Sequence, residues 1–149
     1  MEIQLLVIII IMIACSAFFS ASETALTGAN RIRLKSMAEN GSKGAKMALK
    51  LLDRYDKVIT TILIGNNIVN ITASSLGTIL ATAVVGADNA ALVSTVVLTL
   101  VILTFGEVMP KSLAKDHSEG LTVATSGIIT FLTFIFTPLS ALFLSLIHI

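Results

Sequence analysis

The sequence predicts an all-α integral membrane protein, and three observations support this fold class. Of the 149 residues 55% are hydrophobic, only 13% are charged, and the mean hydropathy is +0.95, which is outside the range of a soluble domain with a polar surface. The apolar residues form continuous runs rather than the alternation typical of membrane-spanning strands. Four such runs, at 3–19, 58–85, 90–105 and 121–149, compare with the roughly 20 residues that a spanning helix needs.

The first run is expected to remain in the protein as an uncleaved span. The residues before it carry Glu2 and no Lys or Arg, whereas a secretory signal begins with positive charge. At its end, Ser16, Ser20, Glu23 and Thr27 share one helical face. Two interpretations stay open: Ser20 and Glu23 form a capping box between two helices, or the helix breaks at Ser20 at membrane depth to line a cavity.

A basic segment separates the first and second runs. Eight of the ten Lys and Arg residues lie at 31–57, interleaved with Met, Ala and Leu around an Asn40-Gly41 break, which predicts two short amphipathic helices on the inner membrane face. The positive-inside bias makes this segment cytoplasmic and puts the amino terminus outside. Asp88 is positioned to cap the third spanning helix at its outer end.

The second run contains three amides, which hydrocarbon cannot solvate. Asn66 and Asn70 are four residues apart and share one helical face, whereas Asn67 points about 100° away and is expected to hydrogen-bond to a neighbouring helix. One interpretation of the pair is helix–helix contact, worth about 0.6 kcal/mol for each amide. The other is a cation site built from amide oxygens.

The third run is followed directly by Gly106 and Glu107, just before Pro110. Because Pro110 cannot donate to the Gly106 carbonyl, a freed carbonyl and a carboxylate occur at the same place. Glu107 then either pairs with Lys111 one turn later or serves as a cation ligand near the cytoplasmic half of the membrane.

The fourth run, at 121–149, is long enough to cross the membrane but contains Pro138 in its middle. Hydropathy alone does not decide whether it crosses. Pro138 favours a kinked or partly interfacial helix over a straight span.

The candidate ligands point to a hard cation. Ser20, Asn66, Asn70 and Glu107 offer only oxygen atoms, which suit Mg²⁺, whereas transition metals prefer His or Cys. A single formal negative charge holds such an ion weakly enough for release, as transport requires.

These residues resemble those of a known family, the transmembrane domain of the cyclin M / CorC magnesium transporters. The similarity covers essentially the whole chain and rests on three blocks: Phe-Phe-Ser-Ala-Ser-Glu-Thr-Ala-Leu at 18–26, Ile-Gly-Asn-Asn-Ile-Val-Asn at 64–70, and Phe-Gly-Glu-Val-Met-Pro-Lys at 105–111. The resemblance implies a homodimer in the plasma membrane and makes residues 1–149 a single transmembrane domain. Its expected parts are three spanning helices at about 3–25, 58–85 and 88–107, cytoplasmic helices at about 31–57, and a juxtamembrane belt helix at about 121–149.

The resemblance also implies Mg²⁺ export by alternating access, coupled to inward Na⁺ movement. The ion would be held by Ser20, Asn66, Asn70 and Glu107, with the Gly106 carbonyl as a backbone ligand. Family members normally continue into paired cytoplasmic cystathionine-β-synthase-type domains, so nucleotide binding is expected only through such domains beyond Ile149.

Two other functions stay open at this stage: a membrane anchor for a cytoplasmic regulatory domain, in which the amides are dimer contacts, and a Mg²⁺ channel. An enzyme is not expected, because the spans carry no His pair, Gly-x-Ser-x-Gly elbow or paired acids. No nucleic-acid partner is expected either.

Overall fold

The computed structural model describes residues 1–148, and within them it is all-α, as predicted. The elements are α1 (Glu2–Gly28), α2 (Arg31–Glu39), α3 (Lys43–Asp53), α4 (Tyr55–Val85), α5 (Ala87–Val101), a π-helical segment (Ile102–Val108), α6 (Met109–Asp116), α7 (Ser118–Ile135) and α8 (Thr137–His148). Residues 1–20 and 65–112 form one compact unit, and residues 21–64 with those from Leu113 onward form a second.

Within residues 1–148, four helices are long and apolar enough to cross a membrane, one more than the three expected spans. They are α1, α4, the continuous helix Ala87–Asp116 and α7. The three expected spans are among these four, and α7 is the additional candidate, since its 18 residues meet the same criteria of length and composition. The chain is a multi-pass membrane protein.

The predicted helix break at Ser20 is wrong. Helix α1 runs without interruption from Glu2 to Gly28, three residues beyond the expected end at 25. Between Ser20 and Gly28 the sequence contains no Pro or Gly, and extending an existing helix costs little because each added residue gains one hydrogen bond. Ser20 and Glu23 are therefore interior helical residues and do not form a capping box.

In the first unit, α4 and α5 form a tight antiparallel pair joined at Gly86. This residue has a φ of +85°, a conformation that glycine adopts without a steric penalty. Gly86 is also the N-cap residue of α5, whereas Asp88 lies in the first turn of the helix, so the prediction that Asp88 caps this helix is wrong. About two turns from Gly86, the Thr78 and Ser94 hydroxyls lie 3.1 Å apart and form a hydrogen bond between the two helices.

In the second unit, the two predicted amphipathic helices are present as α2 and α3. The Asn30 side chain accepts hydrogen bonds from the first turn of α2, and Ser42 caps α3 in the same way. Helix α3 packs most extensively against α7. The two helices approach so closely that a Cβ at Gly44 would lie 2.6 Å from Val123 Cγ1.

The expected single helix at 121–149 is two helices within the described residues. Helix α7 ends at Ile135, Phe136 is its C-cap residue, and α8 begins at Thr137. Pro138 explains the interruption, because its ring is compatible with the first turn of a helix but not with a helix interior. Helix α8 is held to α4 by a buried hydrogen bond between the Ser140 and Thr61 hydroxyls, which lie 3.0 Å apart.

Candidate cation site

The irregular backbone that a membrane cation site requires occurs in the π-helical segment. Here the N–H of Met109 donates to the carbonyl of Thr104, five residues earlier. Pro110 has no N–H, so the Gly106 carbonyl lacks the donor that a regular α-helix would supply. Such π-helical turns are frequent at functional sites. The sequence had indicated a disturbed backbone at Gly106 and Glu107, and the structure has it there.

Ser16, in α1, contacts residues of both the 64–70 block and the 105–111 block. Its hydroxyl donates to Asn66 Oδ1 at 3.0 Å and lies 3.5 Å from the Gly106 carbonyl oxygen. Ser16 is fully buried, and a Cβ at position 106 would lie only 3.0 Å from its Oγ. Glycine at 106 therefore permits this close approach. Ser16 was not among the predicted ligands, although its position one turn before Ser20 was a usable signal.

Asn70 and Glu107 line one cavity, of about 240 Å³, together with Ser74, Thr99, Ile102 and Leu103. Asn70 Oδ1 is buried and has no hydrogen-bond partner among residues 1–148. Glu107 is half-buried, and the ion pairs Arg31–Asp53 and Arg33–Glu119 do not involve its carboxylate. The structure thus places Asn70 and Glu107 around one cavity, and their role as cation ligands stays a prediction.

In this unit α1 and α4 run in opposite directions. Ser16 contacts Asn66, and the Phe19 ring lies so close to Gly65 that a Cβ there would be 2.6 Å from its Cζ. Residue numbers therefore rise along α1 as they fall along α4. This direction determines which predicted ligands lie at the same height along the helix axes, here called a level.

The predicted ligands lie at successive levels rather than around a single point. Ser20 and Asn70 each lie one helical turn, about 6 Å, from the level of Asn66, and they lie on opposite sides of it. Gly106 shares the middle level through the Ser16 contact, and Glu107 lines the same cavity as Asn70. Ser20 is fully buried, and its Oγ has no partner among the described residues.

Asn67 is the amide that the sequence analysis assigned to a hydrogen bond with a neighbouring helix. In the structure its side chain is exposed, and no such bond occurs within residues 1–148, so that expectation is wrong. The sequence did indicate correctly that Asn67 faces away from Asn66 and Asn70.

Comparison with known proteins gives one matching family model, described as the cyclin M transmembrane N-terminal domain, over residues 7–148. The chain is 44% identical over 135 residues to a UPF0053 protein of Haemophilus influenzae, covering 91% of this chain and 32% of that protein. It is also 44% identical over 124 residues to the UPF0053 inner membrane protein YfjD of Escherichia coli, covering 83% and 29%. A more distant relative in Haemophilus influenzae, 27% identical over 143 residues, covers 88% of this chain and 33% of its own length and bears the name polyamine export protein. The chain spans about a third of the length of these relatives.

Proposed function

The chain belongs to the cyclin M transmembrane N-terminal domain family, and from this premise we propose that it is the membrane domain of a Mg²⁺ exporter coupled to inward Na⁺ movement. The observation that carries the proposal is that Asn70, whose buried Oδ1 has no hydrogen-bond partner among residues 1–148, lines the same cavity as Glu107. Leaving a buried polar atom without a partner costs about 1–3 kcal/mol. A cation with its bound waters offsets that cost at this position.

The donor set suits a hard divalent cation. Amide, hydroxyl, backbone carbonyl and carboxylate oxygens are the ligands of Mg²⁺, which retains part of its water shell. Asn66 Oδ1 already accepts from Ser16, but a carbonyl oxygen has a second lone pair. Ser16 therefore acts as a positioning residue that holds the Asn66 amide towards the ion.

The stepwise arrangement of donors supports transfer of the ion between levels. Ser20 forms one end, Asn66 and the Gly106 carbonyl the middle, and Asn70 with Glu107 the next level, at spacings of about 6 Å. An ion passing along α4 exchanges one set of oxygens for the next. We propose that alternating access opens these levels in turn, with Glu107 as the only negative charge among these donors.

Hydroxyl groups continue beyond Glu107 towards the Gly86 turn. A second, smaller cavity of about 110 Å³ shares Ser74 and Thr99 with the first. Its other lining residues are Thr78, Ser94, Thr95 and Leu98. The hydrogen bond between Thr78 and Ser94 joins the helices at this end, and we propose that it opens when the ion leaves.

The proposed topology has three spans, formed by α1, α4 and the helix Ala87–Asp116, with the basic segment in the cytoplasm and the amino terminus outside. Helix α7 is proposed as the belt rather than a fourth span because it packs on the short amphipathic helix α3, which is proposed to lie on the inner membrane face. The plasma membrane, the homodimer and the Na⁺ coupling rest on the family resemblance.

Polyamine export is a second candidate, favoured by the name of the Haemophilus influenzae relative. Primary ammonium groups also bind carboxylate and amide oxygens, since each donates hydrogen bonds. Glu107 and Asn70 therefore suit one end of a polyamine as well as a metal ion. The two substrates differ in that only Mg²⁺ requires an octahedral oxygen shell.

Flux measured in proteoliposomes tests the proposal. Vesicles containing the purified protein and a Mg²⁺-sensitive dye are given opposed Mg²⁺ and Na⁺ gradients, and a parallel set is loaded with radiolabelled spermidine. Asn70→Ala and Glu107→Gln should reduce Mg²⁺ flux by about tenfold or more, since loss of even an outer-shell partner of a metal ligand typically costs about 10–100-fold. Asn67→Ala removes an exposed amide from the same helix and should leave the flux unchanged.

The outcomes separate the alternatives. Flux that saturates and depends on the Na⁺ gradient supports coupled export, whereas flux that does neither indicates a channel. Spermidine flux without Mg²⁺ flux assigns the site to polyamines. Equal effects of Asn67→Ala and Asn70→Ala, or no flux of any cation together with a loosened dimer, would favour the membrane anchor.

A further inference from the structure

The second unit contains a cavity of about 480 Å³ that the proposed transport does not use. It lies where α3, the beginning of α4 and α7 meet. The lining residues are Met47, Lys50, Leu51, Asp53, Arg54, Val58, Thr130 and Thr133. Leu51 and Val58 are buried, so this cavity has apolar walls below a charged rim.

The rim of the cavity is positively charged. Lys50 and Arg54 are four residues apart, and both are exposed. Asp53 is the one acidic residue of the lining, and Arg31 donates to its Oδ1 at 2.9 Å. Since Arg31 offsets the charge of Asp53, an anion near Lys50 and Arg54 meets net positive charge.

Beside the cavity, α7 presents an apolar surface. Phe131, Phe134 and Ile135 are 62%, 77% and 51% exposed, and they lie within about one turn of the lining residues Thr130 and Thr133. Val58, in the cavity wall, is also the first residue of the apolar run of α4. A ligand here therefore meets cations at one end and a hydrocarbon-like surface at the other.

We propose that this cavity binds the head group of an anionic phospholipid. The phosphodiester lies between Lys50 and Arg54, and an acyl chain follows the exposed aromatic face of α7. Basic pockets beside membrane helices bind anionic lipid head groups, and each nearby cation contributes to the affinity. A free phosphate ion would use the rim but not the apolar surface, which is why the lipid is the better fit. The proposal does not depend on the transported substrate.

Lipid binding to the purified protein in detergent, measured by native mass spectrometry and by thermal stabilisation, tests this assignment. Palmitoyl-oleoyl phosphatidylglycerol should bind saturably, and the phosphatidylcholine with the same chains should not. Replacing both rim cations, Lys50→Gln with Arg54→Gln, should weaken phosphatidylglycerol binding roughly 30-fold. The matched pair Lys43→Gln and Lys46→Gln removes two exposed cations of the same helix that lie outside the lining, and it should have little effect.

A third variant fills the cavity without changing charge. Thr130→Trp alters an exposed residue and should abolish phosphatidylglycerol binding while the protein remains monodisperse with an unchanged melting temperature in lipid-free detergent. Equal losses for the two pairs of substitutions would indicate diffuse attraction and overturn the proposal. Displacement by millimolar inorganic phosphate would assign the rim to a free anion, and absence of saturable lipid binding would leave the cavity to a soluble protein partner. Either result would also overturn it.

Discussion

Gly106→Ala tests whether the contact between the π-helical segment and α1 determines the geometry of the site. A Cβ at 106 would lie 3.0 Å from Ser16 Oγ and 3.4 Å from Ser16 Cβ. Ser16 is fully buried and donates to Asn66, so its hydroxyl cannot move away without losing that hydrogen bond. Overpacking of this kind costs about 2 kcal/mol, and replacing a helical Gly by Ala returns about 1 kcal/mol. We expect a net destabilisation of about 1 kcal/mol.

A double-mutant cycle with Ser16→Ala isolates the clash. Without the Ser16 hydroxyl, the alanine introduced at position 106 keeps its helix propensity and no longer meets its closest neighbour. Gly106→Ala should therefore stabilise that background by up to about 1 kcal/mol. The expected coupling between the two positions is then about 2 kcal/mol, within the range for residues in contact.

The measurement is the apparent free energy of unfolding in an SDS titration followed by circular dichroism. Mg²⁺-dependent thermal stabilisation, recorded in parallel, should fall in Gly106→Ala because Asn66 loses its orientation.

Gly127→Ala is the matched control, since a Cβ at that helical position meets no atom within 4 Å. It should stabilise the protein by up to about 1 kcal/mol and leave the Mg²⁺ response unchanged. The reasoning is refuted if Gly106→Ala stabilises as much as Gly127→Ala. It is also refuted if the effects of Gly106→Ala and Ser16→Ala add to within about 0.5 kcal/mol.

Two further predictions concern helix contacts in the separate units. Because the Thr78 and Ser94 hydroxyls lie 3.1 Å apart, Thr78→Cys with Ser94→Cys in a Cys15→Ser background should form a disulfide that stops Mg²⁺ flux until reductant is added. Mg²⁺-dependent stabilisation should persist in the oxidised protein, and undiminished flux after complete oxidation would contradict the proposed opening of these helices. Gly44→Ala should lower stability by about 1–3 kcal/mol, because its Cβ would lie 2.6 Å from Val123 Cγ1 and 3.0 Å from the Val123 carbonyl oxygen. An unchanged midpoint in the SDS titration would show that α3 and α7 separate without cost.

Much of the fold was predictable because each element carries a local signal. Continuous apolar runs indicated α1, α4 and α5, and the Asn40-Gly41 pair indicated the division between α2 and α3. Pro110 and Pro138 marked the two irregular places, the π-helical segment and the junction of α7 with α8. These signals depend on backbone chemistry within a few residues, so no tertiary information is needed to interpret them.

The expectations that failed depended on context. A Ser-x-x-Glu pattern occurs at helix starts and inside helices alike, so the end of α1 could not be located from Ser20 and Glu23. Helical periodicity gave the shared face of Asn66 and Asn70, but it carries no information about the partner helix. The role of Ser16 was therefore missed, although Ser16 lies on the face that had been identified.

The sequence by itself determined that this is a multi-pass, all-α membrane protein with amides and a carboxylate in or next to its apolar runs, because hydropathy and side-chain chemistry are properties of the residues alone. Only the tertiary structure decided how those groups are distributed. The opposite directions of α1 and α4 separate Ser20 from Asn70, and the Ser16 contact brings Gly106 to the level of Asn66. The physical reason is that neighbouring levels on a helix are about 6 Å apart, so helix direction and register, which no single segment encodes, determine which oxygens share a level.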